Sequence, residues 1–170
     1  MKEIRNQSFN YIVIIICQML ITNFIHFGSY IFINILPILI ITIPLKTSTI
    51  RTMIIAFIMG LSIDFLADGV IGLNTIALVP IAFLRKGLIL AILGQDVINR
   101  SESISTKQHG LLKITAIIAI LQFIFTTIYV LADTAGTRSF NFHIIRIICS
   151  SVTSIIISII INRLINNNSN

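Results

Sequence analysis

Apolar stretches, most of them long enough to cross a bilayer, follow one another through this chain with short polar breaks between them. That pattern constrains the fold more than any motif. Six segments can be drawn, at residues 9–25, 30–45, 50–67, 73–93, 111–132 and 142–165. A membrane-crossing helix needs roughly 20 residues, with about 17 as the lower limit. The last four segments meet that length, the first is marginal, and the second is short. Composition agrees: 56% of the chain is hydrophobic and 11% is charged, whereas a soluble domain keeps about a quarter of its residues charged. The 170 residues therefore read as one integral membrane domain, an all-α polytopic bundle of about six transmembrane helices.

The opening Met1-Lys2-Glu3-Ile4-Arg5, followed by an apolar run, has the layout of a signal peptide. No small-residue cleavage site follows, so it reads as an uncleaved first span. The second segment carries Pro37 and Pro44. Proline removes a backbone donor and kinks a helix, which lipid tolerates only where neighbouring protein satisfies the freed carbonyl. This segment is expected to be re-entrant or strongly broken.

The net charge of +6 comes from basic residues that sit mostly in the connections. With the N-terminus in the cytoplasm, Lys2, Arg5, Lys46, Arg51, Arg100, Lys107, Lys113 and Arg163 fall inside, and Arg138 alone falls in an outer connection. That asymmetry is the positive-inside pattern. It favours six spans with both termini cytoplasmic, because omitting the second segment would put Arg100, Lys107 and Lys113 outside. The long polar connection Gly94 to Gly110 then faces the cytoplasm. No compact basic patch is interleaved with exposed aromatics, so membrane lipid is an expected partner and nucleic acid is not. Cys17 and Cys149 lie inside apolar segments and read as buried structural thiols.

Ionisable groups inside spans are costly and mark candidate sites. Ala56, Gly60, Asp64 and Asp68 recur every four residues and so share one helix face. Three readings of Asp64 stand: it satisfies nearby backbone or a hydroxyl, forms an architectural ion pair, or serves a ligand or proton. At about 1.5 Å per residue, Asp64 and Arg146 each lie roughly 6 Å below the outer boundary, while Arg85 lies about 18 Å deep. Depth therefore nominates Arg146 as the ion-pair partner. Arg85 and Lys86 are expected to reach toward the cytoplasmic headgroups or to mark the end of the fourth helix. Ser150, Ser154 and Ser158 form another four-residue series, suited to close helix packing. His26, His109 and His143 are scattered, and no nucleophile, metal or phosphate-binding motif appears. No cofactor, metal site or catalytic residue is expected, and an enzyme is disfavoured.

Leu36-Pro37, Ile43-Pro44-Leu45, the run from Ala56 to Asp64, Gly69-Val70-Ile71-Gly72-Leu73-Asn74 and Ala82-Phe83-Leu84-Arg85-Lys86 together give a further reading. This block, Asn34 to Asp96, resembles the MreD family of rod-shape-determining membrane proteins in its Bacteroidetes style. Gly60, Asp64, Gly69, Gly72 and the Leu84-Arg85 step match the family pattern. Lys86 stands where relatives carry Pro, and Asn74 where they often carry His or Arg. The resemblance implies a bacterial inner-membrane scaffold of the cell-elongation machinery. It would bind an MreC-like bitopic protein and, through it, an MreB-type filament and peptidoglycan synthases. It also implies a fold similar to the substrate-binding subunits of energy-coupling-factor vitamin transporters. Such a subunit is the alternative function, with Asp64, Asp68, Asp133, Arg138 and Arg146 as pocket candidates.

Overall fold

The computed structural model describes residues 2–24, 28, 30–94, 111–134 and 138–167. All regular structure among them is helical: α1 (Lys2–Phe24), α2 (Leu36–Thr42), α3 (Thr49–Ile63) running into a π-helical turn (Asp64–Asp68), α4 (Leu73–Leu93), α5 (Leu111–Thr134) and α6 (Phe140–Asn167). Four helices are long and apolar enough to cross a membrane: α3 with its π turn, α4, α5 and α6. The connection 95–110 lies outside the described residues, as do His26 and His109.

The distribution of side chains is that of a protein dissolved in lipid. Ile54, Phe57, Phe83, Phe123, Ile148 and Ile156 are exposed, while Gln18, Asn34, Asp64, Asn74, Gln122, Ser150 and Ser154 are fully buried. A water-soluble surface would not carry so continuous an apolar cover. In α6 the two stripes are explicit: Ile144, Ile148, Val152, Ile156, Ile160 and Leu164 face out, and Ser150, Ser154, Ser158 and Asn162 face in. Both recur every four residues, the spacing that keeps side chains on one helix face.

The helices α3, α4, α5 and α6 pack in sequence order, each on the next, and α2 touches α1, α4 and α5. At Gly60 α3 and α4 approach so closely that an added Cβ would lie 2.6 Å from the Cα of Thr75. The second apolar segment is not a kinked helix. Residues 31–35 are non-helical, and α2 begins only at Leu36. Pro37 stands in the first turn of α2, where its missing N–H would have had no intrahelical acceptor, so it opens the helix instead of bending it. Pro44 closes it: Ile43 is extended (φ −60, ψ 137), as the residue before proline prefers to be. An extended stretch of about 3.3 Å per residue followed by a helix of about 1.5 Å per residue covers more distance than a helix of equal length. That is how a segment too short for a helical span reaches far through the bundle.

Cys17 is exposed and Cys149 half-buried, both as free thiols, which corrects the expectation that both are buried. They lie on or near the apolar outer face, where a thiol behaves as a small hydrophobe.

Candidate functional site

Non-helical backbone surrounded by apolar helices presents N–H and C=O groups that water cannot reach, and each left unpaired is destabilising by several kcal/mol. Along residues 30–35 side chains from three helices, α1, α5 and α6, pair with those groups. On one edge, the Ser150 hydroxyl accepts from the Phe32 N–H (2.9 Å) and donates to the Tyr30 carbonyl (3.3 Å). Ser154 repeats the pattern one rung on, accepting from the Asn34 N–H (3.0 Å) and donating to the Phe32 carbonyl (3.4 Å). Two residues of extended chain advance about 6.6 Å and four residues of helix about 6 Å, so serines every four residues meet alternate residues of the strand. The hydroxyls act as a substitute for a neighbouring β-strand. The third rung runs through Gln122, whose amide donates to the Asn34 carbonyl (2.9 Å) and accepts from Ser158 (3.4 Å). On the other edge, the Gln18 side chain donates to the Ile33 carbonyl (3.2 Å) and accepts from the Ile35 N–H (2.8 Å).

Asn34 is the hub. Besides its two backbone bonds, its side chain accepts from the Leu36 N–H (2.8 Å), starting α2, and donates to Asn74 Oδ1 (3.0 Å) at the start of α4. Asn74 leads on to Asp64. Both Asp64 oxygens face donors: Oδ1 takes the N–H and side-chain amide of Asn74 (2.7 and 3.0 Å), and Oδ2 takes the N–H of Gly72 and Thr75 and the Thr75 hydroxyl (2.9, 3.2 and 2.7 Å). The carboxylate thus caps α4 from the neighbouring helix, at the end where the helix dipole favours negative charge. Local geometry supports this. The π turn closes with a bond from the Gly69 N–H to the Asp64 carbonyl, and Gly69 (φ +68) and Gly72 (φ +106) supply the left-handed backbone of the turn. The α-helical four-residue series ends at Asp64; Asp68 closes the π turn, and its side chain lies outside the described part.

The Asp64–Arg146 pair nominated by depth does not form. Arg146 pairs with Asp133 at 2.6 Å, near the α5–α6 turn. Depth counted from the α3–α4 turn failed because that turn stops well short of the α5–α6 turn. Asp64 is level with Asn74, and Asn74 is tied through Asn34 to Ser154, eight residues further along α6 than Arg146.

Arg85 corrects a second expectation. It is buried and does not reach toward headgroups, nor does α4 end there. Its guanidinium donates to the Ile41 carbonyl (3.3 Å) and to the Ile43 carbonyl, both at the C-terminal end of α2. Those carbonyls have no partners in their own helix, and a cation is what the dipole favours there. Of the other sequence-selected residues, Gly60 and Gly72 serve the α3–α4 contact just described. Reasoning on ionisable groups missed Gln18, Asn34 and Gln122. Their signal was available: a lone amide in an apolar run needs a partner too, although its cost unpaired is smaller than a charge's.

The network has a defined level in the bundle. Counting about 1.5 Å per residue along each helix, Asp133 is eleven residues from Gln122, about 16 Å toward one end, and Arg146 is eight from Ser154, about 12 Å the same way. Toward the other end, Lys113 is nine residues from Gln122 and Arg163 nine from Ser154, each about 14 Å. The two charged levels are therefore about 30 Å apart along α5 and about 26 Å along α6, close to the thickness of a bilayer's hydrocarbon core, and the polar hub lies midway.

No protein-family model, curated protein or solved structure matches the chain.

Proposed function

We propose that the protein is a non-catalytic inner-membrane scaffold of the bacterial cell-elongation machinery, of the MreD type. In this reading it crosses the membrane six times, α2 and its extended lead-in forming the second crossing, with both termini in the cytoplasm. It holds an MreC-like bitopic partner and through it connects a filament inside the cell to peptidoglycan synthases outside. The family-like block from Asn34 to Asp96 motivates the assignment.

One observation favours a scaffold over the alternative, a vitamin-binding transporter subunit. Transporters with broken helices use the freed helix ends to bind ions and substrates near mid-membrane. Here those ends are filled by the protein's own side chains: Asp64 at the start of α4, Asn34 at the start of α2 and Arg85 at its end. Three of the other pocket candidates, Asp133, Arg138 and Arg146, are likewise engaged. Asp133 holds Arg146, and Arg138 lies over the Phe142 ring, 5.4 Å from its centroid. A broken helix whose ends are neutralised internally is suited to holding a shape.

Affinity purification from native membranes tests the reading. An MreC-like bitopic protein and a transpeptidase should accompany the chain. Recovery of an ATPase pair in their place would favour the transporter subunit.

A further inference from the structure

Five exposed basic residues lie at one level of the bundle, although they come from five separate places in the sequence: Lys46, Arg51, Lys86, Lys113 and Arg163. Lys113 and Arg163 lie about 14 Å below the polar hub, as counted above. Gly60 touches Thr75, which is level with the hub; Arg51 is nine residues from Gly60, about 14 Å, and Lys86 eleven from Thr75, about 16 Å. Lys46 follows Ile43 by three residues, and Ile43 is held level with Arg85 by the guanidinium. The cations thus come from the α2–α3 turn and from α3, α4, α5 and α6. Among the described residues none of them has an ion-pair partner, and no acidic side chain lies at their level. Asp64 sits at the hub and Asp133 at the opposite end.

We propose that this ring is a binding surface for anionic phospholipid headgroups, which supply the negative charge that the described residues do not provide at that level. The ring lies at one edge of the roughly 30 Å apolar band, where phosphates stand in a bilayer. Exposed Lys and Arg side chains run their apolar stems along the helix surface and hold their charged ends toward that layer. An anionic leaflet attracts such clusters, each residue adding its own increment. The consequence reaches beyond orientation: the bundle is more stable, and set at a fixed depth, in a membrane that contains anionic lipid. Because the ring clamps the ends of four separate helices, lipid bound there resists their separation.

The experiment is thermal unfolding of the full chain in nanodiscs of phosphatidylcholine alone and of phosphatidylcholine mixed with phosphatidylglycerol. The midpoint should rise by several degrees in the anionic discs, and the rise should shrink as salt is added. Replacing Lys46, Lys86, Lys113 and Arg163 by Gln, singly and then together, should remove the rise stepwise, while Arg138→Gln at the opposite end should leave it intact. The wild-type comparison needs no variant, so a combined variant that fails to fold does not spare the proposal. Equal midpoints in the two kinds of disc would overturn it. So would an equal rise produced by inorganic phosphate added to phosphatidylcholine discs, since free phosphate would then be the ligand.

Discussion

At Gly60 the lack of a side chain is what allows Asp64, one turn later, to reach the start of α4. A Cβ at Gly60 would lie 2.6 Å from the Thr75 Cα, and the obstacle is backbone, which cannot step aside as a side-chain tip can. Gly60→Ala should therefore force α3 and α4 apart, stretch the bonds from Asp64 to Asn74 and Thr75, and destabilise the protein by about 1–3 kcal/mol. Gly87→Ala is the control, because nothing stands within 4 Å of its added Cβ, and in a helix it should be neutral or stabilising by up to about 1 kcal/mol. Thermal unfolding in detergent separates the two, and equal effects would mean that the contact at Gly60 is looser than described. Asp64 and Arg146 belong to different arrangements, which a double-mutant cycle can show. Asp133 and Arg146 are partly exposed (29% and 15% of the side chain), so their coupling should be small, about 0.2–1 kcal/mol. Asp64→Asn and Arg146→Gln should be additive within about 0.5 kcal/mol. A larger coupling between those two would restore the ion pair that depth counting had nominated.

Among the elements, the extended segment before α2 depends most on its neighbours. Ser150 and Ser154 each bond two backbone groups that have no water to turn to, whereas Thr153 bonds only carbonyls of its own helix, those of Cys149 and Ser150. Ser154→Ala leaves the Asn34 N–H and the Phe32 carbonyl unpaired, and should be destabilising by about 1–3 kcal/mol for each group. Thr153→Val should be close to neutral. Protease sensitivity of the 30–35 segment in detergent would report the difference, and equal resistance in both variants would argue against the serine ladder. The elements also show what the sequence made legible and what it did not. Four long apolar runs reveal α3, α4, α5 and α6, because hydrocarbon solvation is a composition effect that needs no partner. The break in the second run was signalled by Pro37 and Pro44, but not its form, since an extended strand becomes possible only once Gln18, Gln122 and the α6 serines surround it. The serine series was visible as a stripe and read as packing; that its spacing matches a strand's repeat emerges only when the strand is beside it. The π turn left no sequence mark. Asp64 meets backbone N–H groups, a hydroxyl and an amide, the first of the three readings open to it in the sequence, whereas the partners of Arg85 were hidden because they are backbone carbonyls, which a search for opposite charges does not consider.

For the molecule as a whole, the polar interior, the apolar cover and the two charged levels about 26–30 Å apart describe a protein that keeps an irregular shape in lipid by satisfying its own backbone. Orientation follows if the richer basic level faces the cytoplasm. Reporter fusions after residue 105 and at the C-terminus should then both read as cytoplasmic, and a periplasmic reading at 105 would reject six crossings. Bound ions and substrates in a transporter exchange through helix ends that are open. Asp64 and Arg85 are covalently part of the chain and cannot leave, so the arrangement they close is held permanently. That difference favours the proposed scaffold over the transporter subunit. The most direct measurement is depletion of the protein in its host, with cell dimensions, incorporation of labelled wall precursor and vitamin uptake followed together. The account predicts rounded cells and misplaced wall synthesis with uptake unchanged; normal shape and wall synthesis with loss of vitamin import would contradict it.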